Sequence, residues 1–128
     1  MLQAARKGDL DTIRRLIVAG VKADVSDEWD STPLMLAAGW GHTEIVATLI
    51  DSGARVDERS RFNRTALMWA AASGQESTVI FLLEAGADKE LVDKDGKSAV
   101  DLAREENHLK IATLIQSYAN GGMNLRGR

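Results

Sequence analysis

Apolar residues fall along this chain in short runs of helical period, two runs at a time, with a polar stretch after each pair. From Thr32 the chain reads Pro33-Leu34-Met35-Leu36-Ala37-Ala38-Gly39-Trp40 before Gly41 breaks the run. A threonine hydroxyl can cap an orphan amide, and proline at the first helical position gives up nothing, so a helix is predicted over 33–40. A second is predicted at about Thr43 to Asp51, where Ile45, Val46, Leu49 and Ile50 form one apolar stripe. Ser52-Gly53-Ala54 closes it, the glycine suiting a left-handed C-terminal residue. A polar stretch from Arg55 to Arg64 leads to Thr65, and the layout recurs as Ala66–Ser73, Gly74, Glu76–Glu84 and Gly86. Helices of roughly eight to ten residues are marginal alone, so these must bury their stripes against one another.

The recurrence has a fixed interval. Gly20, Gly53 and Gly86 stand 33 residues apart, as do Gly8, Gly41 and Gly74, with Asn107 in the next slot. Thr32, Thr65 and Ser98 form a third series and Ala37, Ala70 and Ala103 a fourth. Four series at one spacing identify a tandem repeat. The predicted units are a partial first over 1–30, then 31–63, 64–96 and a last over 97–119, followed by a flexible tail over 120–128. The first is in register at Ala4-Ala5, Gly8, Ile13, Leu16 and Ile17. In the last, Arg104 stands where earlier units have Ala38 and Ala71, and Gln116 where they have Ile50 and Leu83. Polar residues at docking positions read as a C-terminal cap. A start at Met1 in mid-pattern fits excision from a longer chain.

A unit carrying Thr-Pro-Leu-x-x-Ala-Ala-x-x-Gly-His-x-Glu-Ile-Val and then Gly-Ala resembles the ankyrin repeat. The second unit carries it at Thr32-Pro33-Leu34, Ala37-Ala38, Gly41-His42, Glu44-Ile45-Val46 and Gly53-Ala54. The third matches at Thr65, Leu67, Ala70-Ala71, Gly74 and Gly86-Ala87, with Ala66 in place of proline; the fourth matches at Asp95-Gly96, Ser98, Ala103, His108 and Ile111. The resemblance covers about 1–119. It implies an all-α solenoid of helix-turn-helix units joined by β-hairpin loops. It also implies protein–protein binding through hairpin tips and the concave face of the first helices, with no catalysis. Met35 and Met68 replace the family's usual His and put its hydrogen bond in doubt.

Composition narrows the chemistry. The 128 residues are 45% hydrophobic but only 5% aromatic, so small aliphatic side chains build the core. No Cys is present, which removes disulfides and Cys-ligated metals. A formal charge of −3 gives no electrostatic case for nucleic acid or an acidic membrane surface. No apolar run approaches the roughly 20 residues of a membrane span, and a signal-peptide core is lacking. A monomeric array in the cytoplasm, with the nucleus as the alternative, is expected.

Enzyme-like strings fail on inspection. Gly96-Lys97-Ser98 ends like a phosphate loop, but Leu91 stands where the motif needs its first glycine. Asp93-Lys94-Asp95-Gly96 lacks ligands at Leu91 and Leu102 for a calcium loop. His42 and His108 are two units apart, on the order of 20 Å for stacked helices, so they cannot share a metal. Each is read as a local hydrogen-bonding residue at a helix start. Asn63-Arg64-Thr65 spells a glycosylation sequon, yet Asn63 occupies the turn slot of Gly96 and suits a left-handed turn. No cofactor or metal is expected.

The six aromatic residues are more informative. Trp29 and Phe62 share one slot, with Asp95 in the third unit. Trp40 ends one first helix, and Trp69 aligns with Leu36 and Leu102 in the next; only Phe81 and Tyr118 belong to second helices. In the geometry the resemblance implies, the first four lie on the hairpin tips and concave face, where grouped aromatics mark interfaces. Burial is the alternative for each: Trp69 in the groove between first helices, Trp40 over the adjoining turn. Around them the first tip is acidic (Asp24, Asp27, Glu28, Asp30), and the second carries Arg55, Arg59, Arg61 and Arg64 beside Asp57 and Glu58. The predicted partner-binding residues are Glu28, Trp29, Asp30, Trp40, Arg61, Phe62, Arg64 and Trp69, in an adaptor or scaffold that binds a protein or peptide. The alternatives are a regulatory or targeting segment of a larger protein, and a nucleotide or small-ligand array stacking a base near Arg61 and Arg64.

Overall fold

The structure, a computed structural model, describes residues 1–118; the tail expected over 120–128 lies outside the described residues. Among the described residues, eight helices form four antiparallel pairs: α1 (Leu2–Lys7) with α2 (Leu10–Val18), α3 (Pro33–Trp40) with α4 (Thr43–Asp51), α5 (Ala66–Ala72) with α6 (Glu76–Glu84), and α7 (Ala99–Glu105) with α8 (Leu109–Ser117). The first helices stack in one row, α1 on α3 on α5 on α7, and the second helices in another. Ser73, placed at the end of a helix by the sequence pattern, is the residue that caps α5.

Local chemistry sets these boundaries. Thr32 Oγ1 accepts the Met35 amide and Thr65 Oγ1 the Met68 amide, each at 3.3 Å. Ser98 and Asp101 form a reciprocal capping box at the start of α7. The two methionines at the usual histidine slot are buried, 2% and 1% exposed, so thioether packing fills the place of a polar contact. Alanines 4, 5, 37, 38, 70, 71 and 103 are buried between first helices, and Ile13, Val46, Leu49, Val79, Leu82 and Ile115 are buried on the second.

The pairs are also stitched through one polar slot. His42 Nε2 lies 3.1 Å from the Arg6 carbonyl, and Gln75 Nε2 donates to the Gly39 carbonyl at 3.2 Å. These side chains sit in the space that a Cβ at Gly8 or Gly41 would need: it would come within 2.7 Å of the His42 ring or 2.4 Å of the Gln75 amide. His108 stands over Gly74 in the same way. His42 therefore bonds back to the preceding pair rather than locally, and His108 packs against the pair before it. In the last pair, Arg104 Nη2 donates to Gln116 Oε1 at 3.1 Å, joining the two polar residues that replace apolar ones earlier.

The loops between pairs end in tight turns. Among the described residues no strand forms, and a single antiparallel bridge links Val92 and Ser98. In each tip one side chain accepts two backbone amides: Asp27 from Trp29 and Ser31, Ser60 from Phe62 and Arg64, Asp93 from Asp95 and Lys97. Asp30, Asn63 and Gly96 then take positive φ, 60°, 61° and 76°. Asn63 thus fills the left-handed turn position expected of it.

Candidate partner-binding face

Each tip turns its second and third residues outward because its first is tied to the backbone. Glu28, Trp29 and Asp30 crown the first tip, and Arg61 and Phe62 the second, all exposed; Trp29 is 49% and Phe62 51% exposed. The tips are fastened to each other: the Arg61 amide donates to the Trp29 carbonyl at 2.9 Å and the Lys94 amide to the Phe62 carbonyl at 3.1 Å. Arg61 Nε also stands 3.9 Å from Asp30 Oδ2, a contact between exposed groups worth little for stability. The backbone bond from Arg61 to Trp29 is what holds the acidic and basic tips side by side.

Arg64 is placed differently. Its Nε lies 3.4 Å from Oδ2 of Asp93, whose side chain is 2% exposed, and its guanidinium carbon is 5.6 Å from the centroid of the Trp69 ring. Burial would raise the Asp93 carboxyl, but the Lys97 and Asp95 amides and the Arg64 guanidinium outweigh it and hold its pKa below the usual value. Arg64 is therefore a bracket that joins the second tip to the third and leans over the concave face.

An open, mainly apolar cleft of about 460 Å³ lies between α3 and α5. Leu36, Gly39 and Trp40 line one wall; Trp69, Ser73 and Gln75 line the other. Trp40 is 62% exposed at the rim. Trp69 is half-buried, and its indole Nε1 is covered with no hydrogen-bond partner among the described residues. Gly39 adds no side chain over that ring, where a Cβ would meet Trp69 at 3.8 Å. Trp69 both fills the groove between first helices and walls the cleft.

Trp40 and Trp69 thus meet at one cleft, and Trp29, Phe62, Glu28, Asp30 and Arg61 at two adjoining tips, with Arg64 between the groups. Sequence reasoning did not find Gly39, Ser73 and Gln75 as cleft residues, nor Asp93 as the partner of Arg64. The buried Asp93 is in register with Asp27 and Ser60, the side chains that tie the other tips, and that was the available signal.

Among the described residues no cluster of three or more His, Asp or Glu is arranged to hold a metal. No described helix is long and apolar enough to cross a membrane. No curated protein matches the chain. A family model described as ankyrin repeats, in three copies, matches residues 1–93. With that match over most of the chain, and with paired helices stacked in two rows, the chain belongs to the ankyrin-repeat family.

Proposed function

We propose that this protein is a binding module that grips a partner protein or peptide on its tip and concave face and acts as an adaptor or scaffold. Ankyrin repeats are generally protein–protein interaction modules and typically non-enzymatic, which supports the reading. The observation that carries it is the exposure of three large aromatics, Trp40 at the rim of the apolar cleft and Trp29 and Phe62 on two adjoining tips. Large aromatic side chains bury much area for little rotamer entropy and supply most interface hot spots. The surrounding backbone is pinned by side-chain and inter-tip hydrogen bonds, so the face is preformed and loses little entropy on association. Arg61 and Asp30 at the rim confer register on a charged partner.

Affinity capture with the wild type beside a Trp29→Ala/Phe62→Ala variant tests this. A Val18→Ser/Leu109→Ser variant, altered on the exposed second helices, serves as control. Partners recovered by wild type and control but lost by the tip variant are the expected outcome. Partners retained by the tip variant and lost by the control would place binding on the other face.

A further inference from the structure

The two edges of the concave face, the tips and the ends of the first helices, carry charge in opposite orders. The tip slot reads Glu28, Arg61, Lys94 from the first tip to the third, acidic to basic, with Asp30 near Arg61 and Asp95 beside Lys94 as counter-charges. Across the face, the ends of the first helices read Arg6 and Lys7, then Gly39 and Trp40, then Ala72 and Ser73, then Glu105 and Glu106: basic, apolar or small, acidic. These edges face each other over the first helices. Arg64 from the second tip reaches the Trp69 ring, and Lys97, just after the third tip, forms an ion pair with Glu105 at the end of α7. With Glu105 already paired to Lys97, Glu28 and Lys94 at the tips and Lys7 and Glu106 at the helix ends occupy four corners of the face with alternating sign, and the apolar cleft lies midway along the helix ends.

Resting on the reading of this face as the partner site, we propose that its occupant is an amphipathic helix. A bulky apolar residue enters between Trp40 and Trp69, and the two edges of the helix carry opposite charge orders. The edge over the helix ends is acidic towards α1 and basic towards α7; the edge over the tips is basic, then acidic. A helix rather than a strand fits because the tip backbone is already committed. The Arg61 and Lys94 amides bond the neighbouring tips, and an extended chain would set unpaired backbone groups over an apolar cleft. A helix satisfies its own backbone. Three inter-helix steps of about 8–10 Å set the span, which at 1.5 Å per residue is a helix of roughly 16–20 residues.

The four-corner pattern has a useful symmetry. Turning the bound helix end for end exchanges both its ends and its edges, so the pattern maps onto itself. A peptide with every Glu and Lys exchanged has the same composition and net charge, yet cannot regain the match by docking backwards.

The test is calorimetric titration of the full chain with two alanine-based helical peptides of about 20 residues, each with a central Leu-Phe anchor. One bears the matched charges and the other the exchanged set. The matched peptide is expected to bind about tenfold tighter at low ionic strength, with the gap shrinking as salt is added. Lys7→Glu combined with Glu106→Lys, both exposed positions, should narrow that gap. Equal affinity of the two peptides, or no binding of the matched one, overturns the charge-ordered helix as occupant. Binding that persists unchanged in Trp40→Ala overturns the reading of the face itself.

Discussion

At the seam between neighbouring pairs, one slot holds Gly8, Gly41 and Gly74, and the slot against it holds His42, Gln75 and His108. On the concave face the slot of Trp40 holds Lys7, Ser73 and Glu106, and the slot of Trp69 holds Gln3, Leu36 and Leu102. Both regions keep one 33-residue register. At the seam the side chain of each pair occupies the space of the missing Cβ in the pair before it, so the same geometry demands similar chemistry each time. In the slot of Trp40 all four side chains are exposed, so geometry leaves the residue type open, whereas the slot of Trp69 runs from exposed Gln3 to buried Leu102. The periodic positions therefore build the stack, and the departures from period at exposed positions give its face an individual chemistry.

The largest effect expected from breaking this comparison lies in the shared core. Leu82→Ala, at a fully buried second-helix position, should lower unfolding free energy by about 2–5 kcal/mol in urea titration. Partner affinity measured below the transition should be nearly unchanged. A change of similar size in both would mean that core and face are not separable.

At the seam, Gly74→Ala meets two obstacles: a backbone φ of +77° and the His108 ring 2.7 Å from the new Cβ. The left-handed strain alone costs about 1–2 kcal/mol. Gly53→Ala, at φ +104° with nothing within 4 Å, bears only the strain. Chemical denaturation should show the Gly74 variant as the less stable of the two. Equal losses would mean that the histidine moves aside freely and the seam is not close-packed.

Acid should loosen the bracket under the face. The folded pKa of Asp93 is lowered, so the folded state holds fewer protons there than the unfolded chain. Its contribution is present at neutral pH, declines as pH falls below the ordinary carboxylate value of about 3.9, and is gone below the folded pKa. Thermal melts from neutral pH downward should show a shallower acid-side loss for Asp93→Asn than for wild type. Asp9, whose carboxyl is also held low by its hydroxyl and amide bonds from Thr12, remains in both proteins and cancels. Parallel pH profiles would mean that the Asp93 charge plays no part in joining the tips.

Much of this was legible in the sequence, and the reason is local. Thr32, Pro33 and Gly41 fix the ends of α3 within one helix, so its span and that of α4 follow from the pattern of residues alone. Relations between units were harder to read. The His42 ring finds the Arg6 carbonyl 36 positions earlier, and Arg64 finds Asp93 29 positions later; neither bond has a local spacing rule. The cleft likewise forms only because Gly39 and Trp40 on one helix face Trp69 on the next. Candidate aromatics could be chosen by slot, whereas which of them share a cavity required the stacking of α3 on α5.

The smallest stability effect should accompany the largest effect on binding. Trp40→Ala/Phe62→Ala removes two side chains that are more than half exposed, and such surface changes usually stay within about 0.5 kcal/mol each. Calorimetric titration of a captured partner against this variant and wild type, beside their thermal melts, tests the central claim most directly. A loss of affinity of about tenfold or more with a nearly unchanged melt is expected. Full affinity in a variant that melts like wild type would contradict it.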